Sequence, residues 1–139
     1  MTTYESKIKT ILHPQDKIYE TLADLNNLVY LQDRLPQDKL KELTFDSESI
    51  SAKVDMVGTI KLKIIHREPS KTIKFTVEGA PSEAFLWIQL KEVAPGDTKM
   101  KITLKAQLNT MLKMMLKGKI PEFLNRFADS LTMIDYSHR

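Results

Sequence analysis

Residues 108–131 read "LNTMLKMMLKGKIPEFLNRFADSL", and the fold follows from how this stretch divides. Gly118 and Pro121 interrupt it. A short helical turn is expected from Met111 to Lys117, then a long helix from about Lys119. In the second part Ile120, Phe123, Leu124, Phe127, Leu131 and Ile134 recur at three and four, one apolar stripe. Roughly 17 residues at 1.5 Å each give about 25 Å of helix. At about 4.8 Å between strands, that rod spans some five strands and can lie across a sheet's inner face.

The sheet precedes it. "TKMKITLKAQLN" alternates with period two, placing Met100, Ile102, Leu104, Ala106 and Leu108 inside. "APGD" is a tight turn. "AFLWIQLKEV" is apolar on both faces, so Leu86, Ile88 and Leu90 compete with Phe85 and Trp87 for the interior. "TIKFTVEG" turns Ile73, Phe75 and Val77 inward, and "EPSK" is a turn before it. "TIKLKIIHRE" places Ile60, Leu62 and Ile64 inside, with Lys61 and Lys63 outside. "ISAKVDM" and "ELTFD" supply two further strands, with Ile50, Ala52, Val54 and Met56 on one face of the first and Leu43 and Phe45 on one face of the second. Alternation with one polar face means an antiparallel sheet wetted on one side.

At the start, "YESKIKTIL" reads as one strand with Ser6, Ile8, Thr10 and Leu12 on a common face. "HPQDKIYETLADLNNLVYLQDRLP" then reads as two short helices. Pro14 suits a first turn, and Asp16 complements the helix dipole. Ile18, Leu22 and Leu25 form one stripe, Leu28, Leu31 and Leu35 the other, and Pro36 ends it.

Composition bounds the rest. The chain has 139 residues, 42% hydrophobic and 28% charged, with a net charge of +3. One domain covering 1–139 is expected. There is no cysteine, which excludes disulfides, thiol nucleophiles and cysteine-based metal sites. "MTTYESKIKTIL" has no apolar run long enough for a signal peptide, and no stretch reaches the roughly 20 apolar residues of an integral membrane segment. A cytoplasmic protein is expected. Lys99 to Lys119 holds six lysines and no acid, which reads as a solvated sheet face.

The order of strand, two short helices, six strands and a long C-terminal helix resembles the helix-grip order of the START-like, or SRPBCC, superfamily. Its members include birch pollen allergen-like proteins, lipid-transfer START domains, polyketide cyclases and a family related to carbon monoxide dehydrogenase. The local carriers are "HPQDKIYETLADLNNL", "VDMVGTIKLKI", "APGDTKMKITLKAQL" and the opening stretch, whose Met-rich run precedes the last helix as in bacterial relatives. The resemblance is nearest in flavour to the polyketide cyclase-like and carbon monoxide dehydrogenase-related members, although only Gly118 is left of the latter's glycine-rich approach. It implies an α+β fold in which a curved antiparallel sheet of about seven strands wraps around the last helix.

It also implies a cavity between sheet and helix that binds a small hydrophobic or amphipathic ligand such as a lipid or polyketide-like molecule. The sequence supplies the ingredients, since an amphipathic helix over a concave apolar sheet can enclose roughly 300 to 1,000 Å³. A filled core would show the same periodicity. The pocket candidates are His66, Phe75, Ile88, Leu104, Met111, Met115, Phe123 and Phe127. His66 continues the inward phase of Ile64, and with Gln89 and Asn109 it is placed to orient a polar end.

No catalytic residue is assigned. A cyclase or dehydratase using the same cavity would draw on His66, Tyr30 or Asp33. His13 reads as loop filling and His138 as tail. No metal site, cofactor or nucleic-acid partner is expected, because ligand spacings, phosphate loops and stacking platforms are lacking. An interaction module with a filled core, using the lysines or the Phe85/Trp87 strand, is the third reading. Oligomeric state is open, a homodimer included. Met111, Met114 and Met115 are read as packing an irregular core, lining the cavity mouth or touching a membrane. The brevity of the segment and its few lysines count against the last.

Overall fold

A computed structural model describes residues 1–27, 40–54, 58–80, 82–134 and 136. The elements are β1 (Thr2–Glu5), β2 (Lys9–Ile11), α1 (Gln15–Leu22), β3 (Leu40–Phe45), β4 (Ser49–Val54), β5 (Gly58–Glu68), β6 (Thr72–Glu78), β7 (Ala84–Ala94), β8 (Asp97–Ala106), α2 (Thr110–Leu116) and α3 (Lys119–Thr132). They form one antiparallel sheet of eight strands in the order β1-β8-β7-β6-β5-β4-β3, with β2 also paired to β8. The expected second short helix, with Leu28, Leu31 and Leu35, lies outside the described residues, as do Met56 and the side chains of Leu43, Ala52 and Val54.

The expected first strand is two. Glu5 pairs with Thr103 and Lys9 with Met100, so three residues face two on β8 and one is extra. Ser6 covers the break. Its N–H donates to the Ile102 carbonyl at 2.8 Å, and its hydroxyl accepts the Ile102 N–H at 2.9 Å. The slip flips the phase, turning Ile11 inward and leaving Ile8 and Leu12 at 66% and 74% exposure. Period-two reading fails where one residue is added.

β7 resolves the two-faced segment. Ala84, Leu86, Ile88 and Leu90 are buried inside, and Phe85 and Trp87 lie on the outer face. The Lys74 ammonium stands over both outer rings, 4.7 Å from Phe85 and 5.2 Å from Trp87. Gly79, with φ +88°, lets β6 leave the sheet: a Cβ there would sit 2.4 Å from the Thr59 carbonyl oxygen.

α3 is 14 residues long, about 21 Å, somewhat shorter than its apolar stripe. Pro121 fits its first turn, where no intrahelical donor is needed. Its backbone comes closest to β1, β2 and β8, and stands farther from β5, β6 and β7. Two contacts fix it to the β1–β2 edge: the Lys7 N–H donates to Asn125 Oδ1 at 2.7 Å, and Lys9 Nζ meets Asp129 Oδ1 at 2.7 Å. The stripe continues past the helix into Ile134 and Tyr136, both buried. α1 covers β6 and β7 instead.

Candidate functional site

The inner face has a packed end and an open end. At the packed end α1, Ile11, Thr98 and Tyr136 close the sheet, and Thr98 Oγ1 donates to the His13 carbonyl at 2.7 Å. The Tyr136 hydroxyl donates to the Leu131 carbonyl at 2.6 Å, and burial raises its pKa well above the ordinary phenol value. The His13 ring fills the loop against Tyr136, centroids 5.7 Å apart.

Toward the other end of the sheet the inner residues are less covered. One cross-strand row runs Ile64, Phe75, Leu86, Leu104, Tyr4. Its first three members are buried, while Leu104 and Tyr4 are half-buried. In the next row Ala84 pairs with Ala106, two small side chains where the row before has Leu86 and Leu104. Val77, and Ile120 and Phe123 from the first turns of α3, are half-buried against the core. The Phe123 and Phe127 rings lie 6.0 Å apart, with Phe127 at 6% exposure on the packed side. Such a site is chemically apolar: it can take hydrocarbon or an aromatic ring and has few donors. Tyr4, half-buried across from Leu104, brings a phenolic hydroxyl to this row.

The expected site residues divide. Phe75, Ile88, Leu104, Phe123 and Phe127 lie between sheet and helix. His66 does not. The β5–β6 register shifts between Ile64 and His66, so Ile65 bulges and His66 turns outward opposite Lys74. The inward phase passes to Arg67, which pairs with Ile73. Its guanidinium donates to the Ala23 carbonyl at 2.9 Å and to Glu48 Oε2 at 2.7 Å, pinning the end of α1 to the sheet. Gln89 lies on the outer face, where its Oε1 accepts from Thr103 at 2.8 Å. Asn109 caps α2 by accepting the Leu112 N–H at 2.8 Å. Met111 and Met115 face solvent at 69% and 45% exposure and line nothing inside. Tyr30, Asp33 and His138 lie outside the described residues.

Sequence reasoning missed Tyr4 and Arg67. Tyr4 shares the phase of Ser6, so its signal was in the first strand. Arg67 becomes inward only through a bulge, and alternation alone assigns it outward.

No helix among the described residues is long and apolar enough to cross a membrane. No family model and no curated protein matches the sequence. Solved structures do match. Norcoclaurine synthase from Thalictrum flavum, in complex with dopamine and hydroxybenzaldehyde, superposes with a TM-score of 0.72 at 13% identity, covering 99% of this chain and 88% of that one. A conserved protein from Geobacillus kaustophilus gives 0.66 at 16% identity, covering 94% and 91%. A START superfamily protein from Mycobacterium smegmatis gives 0.60 at 10% identity, covering 94% of both. Identities this low speak to architecture, and the architecture of this chain is the α+β helix-grip fold of START-like proteins.

Proposed function

We propose that the protein binds a small hydrophobic or amphipathic molecule between the sheet and α3, admitted at the end where Tyr4, Leu104 and Phe123 are half-buried. The observation carrying this reading is the change in cover along one inner face: its side chains are buried at one end, while at the other Tyr4, Val77, Leu104, Ile120 and Phe123 are half-buried around the small, buried Ala84 and Ala106. Burial of ligand surface drives binding at about 25 cal/mol per Å², offset by the cost of immobilisation. Tyr4 orients the polar end. The neighbouring norcoclaurine synthase structure, which holds two aromatic compounds, supports such a use of the fold. A single domain working in the cytoplasm fits a chain without cysteine.

An apolar dye tests this. The wild-type protein is expected to bind it and release it to competing fatty or aromatic compounds, and Leu104→Trp is expected to abolish uptake without unfolding. A folded Leu104→Trp protein with unchanged dye affinity overturns the reading. The cyclase-like alternative lacks His66, which is on the outer face. The interaction-module alternative draws support from Phe85 and Trp87, 6.2 Å apart on that face under Lys74.

A further inference from the structure

α2 is an apolar helix with no buried residue. Met111, Met114 and Met115 are 69%, 76% and 45% exposed. At about 100° per residue these three occupy one continuous arc of roughly 100°. Leu112 and Leu116 border the arc on one side and are half-buried. Lys113 and Lys117 border it on the other, and Lys119 follows at the start of α3, all three exposed. No acidic residue occurs from Lys99 to Lys119, so nothing in this stretch neutralises them. An exposed apolar patch beside a row of cations fits one kind of surface: a bilayer whose headgroups are anionic and whose acyl region begins a few Å deeper. Methionine suits that boundary, because its unbranched side chain adapts to a fluid surface.

From this arc and its lysine border we propose that α2 docks the protein peripherally on anionic membranes, with the three methionines entering the interface and the lysines meeting the headgroups. α2 lies between the end of β8 and the start of α3, the end of the fold where Leu104 and Phe123 are half-buried. Docking therefore turns that end toward the lipid. Surface binding does not require an occupied cavity, so it stands or falls separately from the ligand-binding reading.

The test is co-sedimentation of the full chain with vesicles of phosphatidylcholine alone and of phosphatidylcholine mixed with phosphatidylglycerol. The expected result is binding to the mixed vesicles that weakens with salt. Met111→Ser/Met114→Ser/Met115→Ser is expected to abolish it. Each of Lys113→Gln and Lys117→Gln is expected to lower it about fivefold. Because α2 contributes nothing buried, all these variants keep the wild-type melting temperature and dye affinity. Wild-type protein that ignores the mixed vesicles overturns the proposal, as does a triple variant that binds them as well as wild type. A wild-type dimer that ignores vesicles and becomes monomeric on the triple substitution also overturns it, and assigns the arc to a second copy of the chain.

Discussion

Gln15 and Glu92 hold each other by a reciprocal pair of hydrogen bonds: the Gln15 N–H donates to Glu92 Oε1 at 2.7 Å, and the Glu92 N–H donates to Gln15 Oε1 at 2.8 Å. Pro14 offers α1 no side-chain cap, so a carboxylate from β7 takes that part and seats the helix on the sheet. The other carboxylate oxygen accepts the Gly96 N–H at 3.2 Å, tying in the β7–β8 turn. Glu92→Ala removes the cap and the turn contact together. The expected loss is about 1–2 kcal/mol, read as a lower urea midpoint at unchanged slope. An unchanged midpoint would mean that α1 docks through its apolar face alone.

Asp46 makes the acid side of the stability profile testable. Its Oδ1 accepts the Glu48 and Ser49 N–H groups at 2.8 Å each and the Ser49 hydroxyl at 3.1 Å. The Glu48 N–H, then the Ser49 hydroxyl, hold its pKa below the ordinary carboxylate value. A folded value below the unfolded one means the contribution is complete above the unfolded value and is lost as pH falls through the folded one. Stability is therefore expected to fall below about pH 4, and less steeply in Asp46→Ala. Parallel acid limbs for the two proteins would assign the loss to other carboxylates.

The contrast between packed and open ends predicts unequal costs for two neighbouring phenylalanines. Phe127→Ala empties a sealed site and is expected to cost about 3–5 kcal/mol. Phe123→Ala trims a half-buried ring and is expected to cost about half as much. Chemical denaturation of both variants measures the difference. Equal costs would show that the first turn of α3 is packed as tightly as its middle.

Most of the sheet was legible because alternation survives wherever strands pair without insertions, as β8 does with β7 from Thr98 to Ala106. Two bulges set the limit. One near Ser6 flips Ile8 and Leu12 outward, and one at Ile65 sends His66 to the outer face and Arg67 inward. Pairing partners determine a bulge, and no local pattern announces it. The open end was legible only as a phase, since Leu104 and Leu86 read alike and differ in burial. For His66 the consequence is testable. His66→Ala is expected to leave dye affinity unchanged and stability within about 0.5 kcal/mol of wild type. A marked loss of dye binding would return the imidazole to the site.

The single tryptophan separates the two faces of the sheet experimentally. Trp87 lies outside, with Lys74 at 5.2 Å and Lys105 at 5.6 Å from its ring, while Leu86 and Ile88 on the same strand point to the helix. A ligand between sheet and α3 has the sheet backbone between itself and the indole. Titration with an apolar ligand is therefore expected to leave Trp87 emission unchanged. In the Trp87→Phe/Phe123→Trp double variant the indole takes the place of a half-buried ring beside the proposed ligand, and its emission is expected to change on titration. Emission from Trp87 that responds while the double variant does not would place the ligand on the lysine-rich outer face.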